Sequence, residues 1–215
     1  MLRKIIAAGI VPLVGLVVIA PAPAGAVTSD KGLNSSITSL DDSCVLALQV
    51  ATPGVTAEEI HELCSATTVV SVSPSEEVGV DSLPSTAEVG SETRRELSEA
   101  ARAGTLRSKS WDQAKFGGTY KEIHKGTFWY DGSKAWSSEQ TYRGKRGSHS
   151  CGSRGSWGLG VNVSTVGCTA PRSGTGVVNR ETYKVQAVAN GSPIKWTLAM
   201  SMLLKANGST VSRAS

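Results

Sequence analysis

The chain has 215 residues and a formal net charge of +4 at neutral pH. This small net charge hides an asymmetry: residues 27–104 contain four Lys and Arg against thirteen Asp and Glu, whereas residues 105–215 contain sixteen against five. All eleven Phe, Trp and Tyr residues also lie in the second region. The asymmetry predicts either contact of the second region with a polyanion or contact between the two regions. After residue 20 no segment is long and apolar enough to span a membrane, which excludes a multi-span membrane protein.

Residues 1–26 are typical of a secretory signal peptide. Arg3 and Lys4 precede an apolar run over residues 5–20, and Ala24-Gly25-Ala26 matches a small-residue cleavage site. The apolar run is shorter than the roughly twenty residues that a spanning helix needs, which favours cleavage over an uncleaved anchor. We therefore expect a secreted, extracellular protein whose mature chain has no transmembrane segment.

The four cysteines predict two disulfides, as is usual in an exported protein. Three pairings are possible. The pairing of neighbours, Cys44 with Cys64 and Cys151 with Cys168, is the simplest because each pair lies within one compositional region. Zinc is the alternative, but neither C-x-x-C nor H-x-x-x-H spacing occurs. Although His61 lies three residues before Cys64, the sequence predicts no metal site and no cofactor.

The first region begins with a flexible leader, and a small helical hairpin follows over about residues 42–67. Acidic and serine residues at 41–43 can cap its first helix. Thr56 followed by Glu59 is a capping-box pattern for its second helix. An antiparallel pair of short helices brings the first two cysteines together, and their disulfide would stabilise a unit too small for a large core.

The rest of the acidic region predicts a linker over residues 71–90 and a polar helix over 91–103. The helix has few apolar residues, so we expect only weak packing. Arg94, Arg95 and Arg102 offer trypsin-like cleavage points in an exposed segment. Two interpretations of the acidic region stay open. It is either a pro-region that covers the basic region or a solubilising spacer with a disulfide-linked module.

Residues 105–215 predict a basic antiparallel β domain, a sandwich or barrel of about five to seven strands. Asn190-Gly191 is a favoured two-residue hairpin turn. From Ile194 to Met202 apolar and polar residues alternate, which is typical of a strand with one buried and one wet face. Asp131-Gly132 predicts a further two-residue turn.

The hairpin about that turn is the main predicted binding feature. A two-residue turn places Trp129 opposite Lys134, where the ammonium can contact the indole face. Exposed aromatic and cationic side chains suit stacking on sugars or bases and pairing with phosphates. The candidate binding residues are Trp129, Lys134, Trp136, Arg143, Lys145, Arg146 and Arg154.

The leading functional hypothesis is a non-catalytic protein that binds an extracellular polyanion or a cell-envelope component. An antimicrobial factor with an acidic pro-region is one form of it. The candidate partners are an anionic cell-wall polymer, a polysaccharide, an anionic lipid and extracellular nucleic acid. A structural envelope protein without a ligand is an alternative. The sequence does not predict the oligomeric state.

A small secreted nuclease is the enzymatic alternative. Alternation along a strand places Glu122 and His124 on one face, and His149 could complete an acid–base set. Arg146 or Arg154 could then hold the phosphate. No third group is tied in sequence to the first two, so the pattern favours a non-enzymatic protein.

Two motifs together support a resemblance. "YKEIHKGTFWYDGSKAW" runs from Tyr120 to Trp136, and "YRGKRGSHSC" runs from Tyr142 to Cys151, with Cys168 further on. This segment resembles exported proteins of Gram-positive actinobacteria that lack an assigned function. The resemblance implies secretion and a disulfide-bonded β domain, and it implies no activity.

Overall fold

The computed structural model describes residues 32–118, 120–137, 140–141, 149–156, 161–170, 173–189 and 191–214. The predicted signal peptide lies outside the described residues and stays a prediction. The elements in chain order are β1 (Leu33–Leu40), α1 (Asp42–Ala51), α2 (Ala57–Cys64), β2 (Ser65–Val72), β3 (Glu76–Glu77), a 3-10 turn (Val80–Ser82), α3 (Thr86–Val89), α4 (Ser91–Arg102), β4 (Arg107–Gly117), β5 (Tyr120–Tyr130), β6 (Ala135–Ser137), β7 (Gln140–Thr141), β8 (His149–Ser156), β9 (Asn162–Thr169), β10 (Ser173–Gly174), β11 (Gly176–Ala189), β12 (Ser192–Lys205) and β13 (Thr210–Ala214).

The strands form two sheets. Sheet A has the order β1-β2-β4-β5-β6-β10, with β3 paired to β4, and β8 paired to both β5 and β7. Sheet B has the order β13-β12-β11-β9. Every described pairing is antiparallel except that of β7 with β8. The prediction of a mainly antiparallel sandwich is confirmed. Within the described part of residues 105–215, seven strands have five or more residues.

The two sheets pack face to face around an apolar core. Strands β11 and β12 alternate buried and solvent-facing residues along their whole length, as the sequence predicts. A core cluster joins inward side chains of both sheets: Val70, Trp111, Phe128 and Tyr130 from sheet A with Val177, Met202 and Leu204 from sheet B. Helix α1 closes one end of this core, where Cys44 and Leu48 pack against Tyr183 and Trp196.

The helical hairpin and both disulfides are present as the sequence predicts. Asp41 caps α1 by accepting from the backbone N–H groups of Ser43 and Cys44, and Thr56 with Glu59 forms the capping box of α2. The disulfide between Cys44 and Cys64 joins the two helices. The disulfide between Cys151 and Cys168 joins β8 of sheet A to β9 of sheet B, so it ties the two layers together.

The acidic region contributes directly to the sandwich. Strand β2 pairs with β4 along seven residues, so sheet A continues across the predicted boundary at residue 104. The expectation of a flexible leader is wrong for Leu33–Leu40, which forms β1 by pairing with β2. All eight of its side chains are exposed, so no burial pattern in the sequence revealed this strand.

Residues 71–90, predicted as a linker, contain β3, the 3-10 turn and α3. The predicted polar helix is present as α4, but its packing is tighter than the composition suggested. Leu97 of α4 is fully buried, together with Val89 of α3, against the outer face of sheet A. Within α4 itself the buried apolar side chains are Leu97 and Ala100, and they anchor this otherwise polar helix on the sheet.

The register of the β5–β6 hairpin differs from the sequence prediction. Trp129 pairs with Trp136, and Tyr130 pairs with Ala135, so the loop has four residues rather than two. The side chain of Asp131 accepts from the backbone N–H groups of Ser133 and Lys134, which stabilises the longer loop. The predicted Trp129–Lys134 contact is wrong, and the Lys134 ammonium instead lies 5.7 Å from the ring centroid of Trp136.

Candidate functional site

The three candidate catalytic residues lie together, but in the interior of the sandwich. Alternation along β5 puts Glu122 and His124 on one face, and His149 projects from the neighbouring strand β8. This face points towards sheet B, and all three side chains are fully buried. The face that carries them is therefore closed off from solvent. The strand alternation was visible in the sequence, but the layer that covers it was not.

His124 and His149 form a hydrogen-bonded pair with fixed tautomers. The Gln113 amide nitrogen donates to Ser212 Oγ and to the Arg213 carbonyl, both at 2.9 Å. The Gln113 amide oxygen therefore faces His124 Nδ1, 3.5 Å away, and accepts its proton. His124 Nε2 is left as an acceptor, and His149 Nε2 donates to it over 2.6 Å. His149 Nδ1 is then a buried lone pair with no partner among the described residues.

Both imidazoles stay neutral at physiological pH. Burial, with the nearby His149 as a smaller cause, lowers the pKa of His124 to about 2. Burial also lowers the pKa of His149 to about 4. Because desolvation penalises the charged form, neither ring takes up a proton readily. The pair therefore lacks the near-neutral pKa that a general acid–base catalyst needs.

A pair of buried carboxyl groups lies next to the histidines. Thr165 Oγ1 lies 3.4 Å from Glu122 Oε1 and 3.1 Å from Glu181 Oε1. Burial first, then the hydrogen bond to Glu122 and the charge of Glu122, raise the pKa of Glu181 to about 9. At neutral pH Glu181 therefore keeps its proton and donates it to Glu122. A phosphodiester outside the sandwich cannot contact this cluster, so the nuclease alternative would require the two layers to open.

The aromatic binding candidates are also covered. Trp129 and Trp136 are buried beneath α4, in a cluster with Leu97. The Glu96 carboxylate accepts from Lys134 Nζ at 2.7 Å and from Trp136 Nε1 at 2.6 Å. These donors lower the pKa of Glu96. The predicted platform for sugars or bases is therefore occupied by a helix of the same chain.

The four arginine and lysine candidates from the middle of the chain contribute no described side chain. Arg143, Lys145 and Arg146 lie outside the described residues. Arg154 lies on β8, where its backbone pairs with Glu122, and its side chain is also outside the described part. Their predicted binding role stays a prediction.

A different cationic surface lies on the outer face of sheet B, and no sequence motif pointed to it. It consists of five side chains on outward strand positions, which we call the cationic face: Arg180, Lys184, Lys195, Lys205 and Arg213. No described ion pair involves any of them. The sequence held one sign of this surface, because Glu181 is the only acidic residue after residue 139. In the structure Glu181 occupies an inward position of β11, so it lies on the opposite face of the sheet from these cations.

Strand register arranges the cationic face as a stripe. Arg180 and Arg213 both lie level with Ser201, on the strands that flank β12, so they are about 10 Å apart. Lys184 follows four residues along β11, and Lys195 lies opposite Gln186, two residues further on. Lys205 lies opposite Gly176 at the other end. The stripe therefore extends over ten residues of β11, or about 33 Å.

These features define an antiparallel β-sandwich with a buried polar cluster between its sheets and a cationic stripe on one outer face. Comparison of the chain with protein-family models, with curated proteins and with solved structures gave no match. Among the described residues, no helix has the length and apolar character needed to cross a bilayer.

Proposed function

We propose that this is a secreted, non-catalytic protein that binds a linear extracellular polyanion along the cationic face. The observation that supports it most directly is the set of five cations without an acidic residue at the described outward positions of sheet B. Ordinary surfaces intersperse both signs of charge, whereas a surface of one sign attracts the opposite charge over a distance. The two disulfides and the signal-like residues 1–26 are consistent with secretion.

The shape of the cationic face favours an extended polymer over a compact anion. Its cations are spread over about 33 Å along one strand direction. An isolated phosphate or carboxylate would meet one or two of them. A polymer with regularly spaced phosphates or sulfates can contact all five in turn, and each contact releases condensed counterions.

Salt dependence is the decisive measurement. Five phosphate contacts predict a slope of log affinity against log salt of about −3.5, since each contact on a single strand contributes about 0.7. Raising the salt from 50 to 200 mM should therefore weaken binding about a hundredfold. The probe is a fluorescent single-stranded oligonucleotide, followed by anisotropy, with polyphosphate and purified anionic wall polymer as competitors. Salt-independent binding, or no binding at 50 mM salt, would contradict the proposal.

Two double variants with the same loss of charge distinguish binding along the cationic face from attraction by the net charge of the protein. Arg180→Gln with Lys195→Gln should reduce the slope by about 1.4, because two contacts are lost. Lys121→Gln with Lys125→Gln removes the same charge from the outer face of sheet A and should leave the slope at its wild-type value. Equal losses in both variants would show that net charge alone drives binding.

A further inference from the structure

Four side chains that bind soft metals converge between the sheets. The two disulfide cysteines, Cys151 and Cys168, come from β8 and β9. Cys151 Sγ lies 3.7 Å from His149 Nε2. His149 Nε2 in turn lies 2.6 Å from His124 Nε2. The ligand atoms of His124, His149 and Cys151 all lie within 4.8 Å of one another. Cys168 is bonded to Cys151.

We propose that reduction of the Cys151–Cys168 disulfide converts this cluster into a tetrahedral zinc site with His124, His149, Cys151 and Cys168 as ligands. Two thiolates and two imidazoles are a standard ligand set for structural zinc. The disulfide and the zinc site are then alternative states of one cross-link between the two sheets. This proposal is independent of the cationic face and of its polyanion.

The dimensions of the cluster suit the ion. Zinc binds sulfur at about 2.3 Å and imidazole nitrogen at about 2.0 to 2.1 Å, so tetrahedral ligand atoms lie roughly 3.3 to 3.8 Å apart. His149 Nε2 and Cys151 Sγ, which lie 3.7 Å apart, already have that separation. The two imidazoles must move apart by less than about 1 Å, and the two sulfurs separate once their bond is broken.

The surroundings also prepare the ligands. Metal-bound imidazoles usually donate their other ring N–H to an oxygen, which fixes the tautomer. His124 already does this through Gln113, so its Nε2 lone pair points into the cluster. His149 Nδ1 has no partner among the described residues and can take up the proton that leaves Nε2.

The chemistry balances with a phosphine as reductant. The phosphine gives two electrons to the S–S bond and becomes a phosphine oxide with oxygen from water, and each sulfur gains one proton. Zinc then displaces the protons of both thiols, while the Nε2 proton of His149 moves to Nδ1. The reverse process, oxidation of the two thiolates by a disulfide oxidant, restores the cross-link and releases the ion.

The spacing rule failed here for a structural reason. Zinc motifs such as C-x-x-C recognise ligands from one turn or one helix. In this chain the four ligands come from three different strands, and only His149 and Cys151 are near in sequence, two residues apart on one face of β8. Tertiary packing therefore assembles the set.

Cobalt is the spectroscopic probe for the site. The full-length protein is reduced with a phosphine under anaerobic conditions and titrated with Co2+. We expect one equivalent to bind, with the intense visible bands of tetrahedral Co2+ and a thiolate-to-cobalt charge-transfer band. Zinc should bleach both signals and raise the Tm of the reduced protein. The oxidised protein should show neither band.

Variants locate the ion. His149→Gln and Cys151→Ser should each abolish the charge-transfer band of a one-equivalent complex or weaken its affinity at least tenfold. The matched control is Cys44→Ser with Cys64→Ser, which removes the other pair of thiols and should keep the spectrum. His61→Gln should also keep it, because His61 and Cys64 are the other neighbouring imidazole and thiol in the described chain.

Four results would overturn the assignment. They are a reduced wild type without the tetrahedral thiolate spectrum, a spectrum that survives His149→Gln unchanged, a spectrum lost in the Cys44/Cys64 control, and a spectrum lost in His61→Gln. If the reduced chain loses its β-sheet circular dichroism, zinc should restore it. Failure of zinc to do so, with no cobalt bands, also counts against the site.

Discussion

Replacing Glu181 by Gln should remove an alkaline loss of stability. In the folded protein burial and Glu122 raise the pKa of Glu181 to about 9, from an ordinary value of 4.5. Between these two values the unfolded chain ionises Glu181 while the folded chain keeps the proton. The wild-type free energy of unfolding should therefore fall with rising pH, by about 1.4 kcal/mol per unit.

Glutamine is close to an isosteric replacement. Its amide oxygen can still accept from the Gly152 backbone N–H, which now donates to Glu181. Its NH2 group can still donate to Glu122, as the protonated carboxyl does. The substitution thus removes the titration and keeps the hydrogen bonds. Between pH 6.5 and 8.5 we expect the wild type to lose about 2.7 kcal/mol that Glu181→Gln does not lose.

Urea unfolding at half-unit pH intervals measures this difference. The disulfides are kept oxidised, and EDTA is present to exclude metal binding. Glu99→Gln is the matched control, since it removes an exposed carboxylate that pairs with Arg95 on the surface, and it should show the wild-type slope. If Glu181→Gln has the same alkaline slope as the wild type, Glu181 is ionised in the folded protein and the assigned proton is wrong.

Other buried and half-buried polar groups should also affect stability. In the Glu181→Gln background, the free energy of unfolding should fall as the pH drops from 6.5 towards 4, because unfolding frees both histidine rings to take up protons. The fall should reach up to about 2.7 kcal/mol per pH unit. A free energy of unfolding that stays constant over this range would contradict the neutral state of the two rings. Lys115→Met should lower the free energy of unfolding, measured with urea, by about 3 to 5 kcal/mol. The substitution removes the Lys115 ammonium, which lies 2.9 Å from the Asp41 carboxylate, and leaves that carboxylate buried without its ion-pair partner. Adding Asp41→Asn, which keeps the cap of α1, should recover most of that loss, and an equally unstable double variant would refute the charge argument. Glu96→Ala should lower the free energy of unfolding by about 1 to 3 kcal/mol, since Lys134 and Trp136 lose their hydrogen-bond acceptor. The variant should also show stronger quenching of tryptophan fluorescence by acrylamide. Unchanged quenching would mean that α4 stays in place without the Glu96 carboxylate.

Local features of the chain were predictable because their causes lie within a few residues. The capping box of α2 needs only Thr56 and Glu59, and the hairpin between β11 and β12 needs only the turn after Ala189. The neighbour pairing of the cysteines followed from the same locality. The Asp131 loop was the local failure, because a side chain bound two backbone N–H groups and lengthened the turn.

The candidate site was predictable only in part. Alternation along β5 correctly placed Glu122 and His124 on one face, but it could not say whether that face meets water or another sheet. The tryptophans posed the same problem, since Leu97 and Glu96 of a helix distant in sequence cover them. An alternating pattern identifies two faces of a strand, and the partner layer decides which face is buried.

The sequence by itself determined the hairpin of β11 and β12, the two capped helices α1 and α2, the disulfide pairs and the imbalance of charge between its two regions. Only the tertiary structure decided what those elements face. Packing of sheet B on sheet A neutralised the histidines and Glu181 by desolvation, and it left five cations at outward positions of sheet B, where the described strands carry no acidic residue. The physical reason is that caps and turns depend on neighbours along the chain, whereas burial and electrostatic environment depend on groups brought together from strands far apart in sequence.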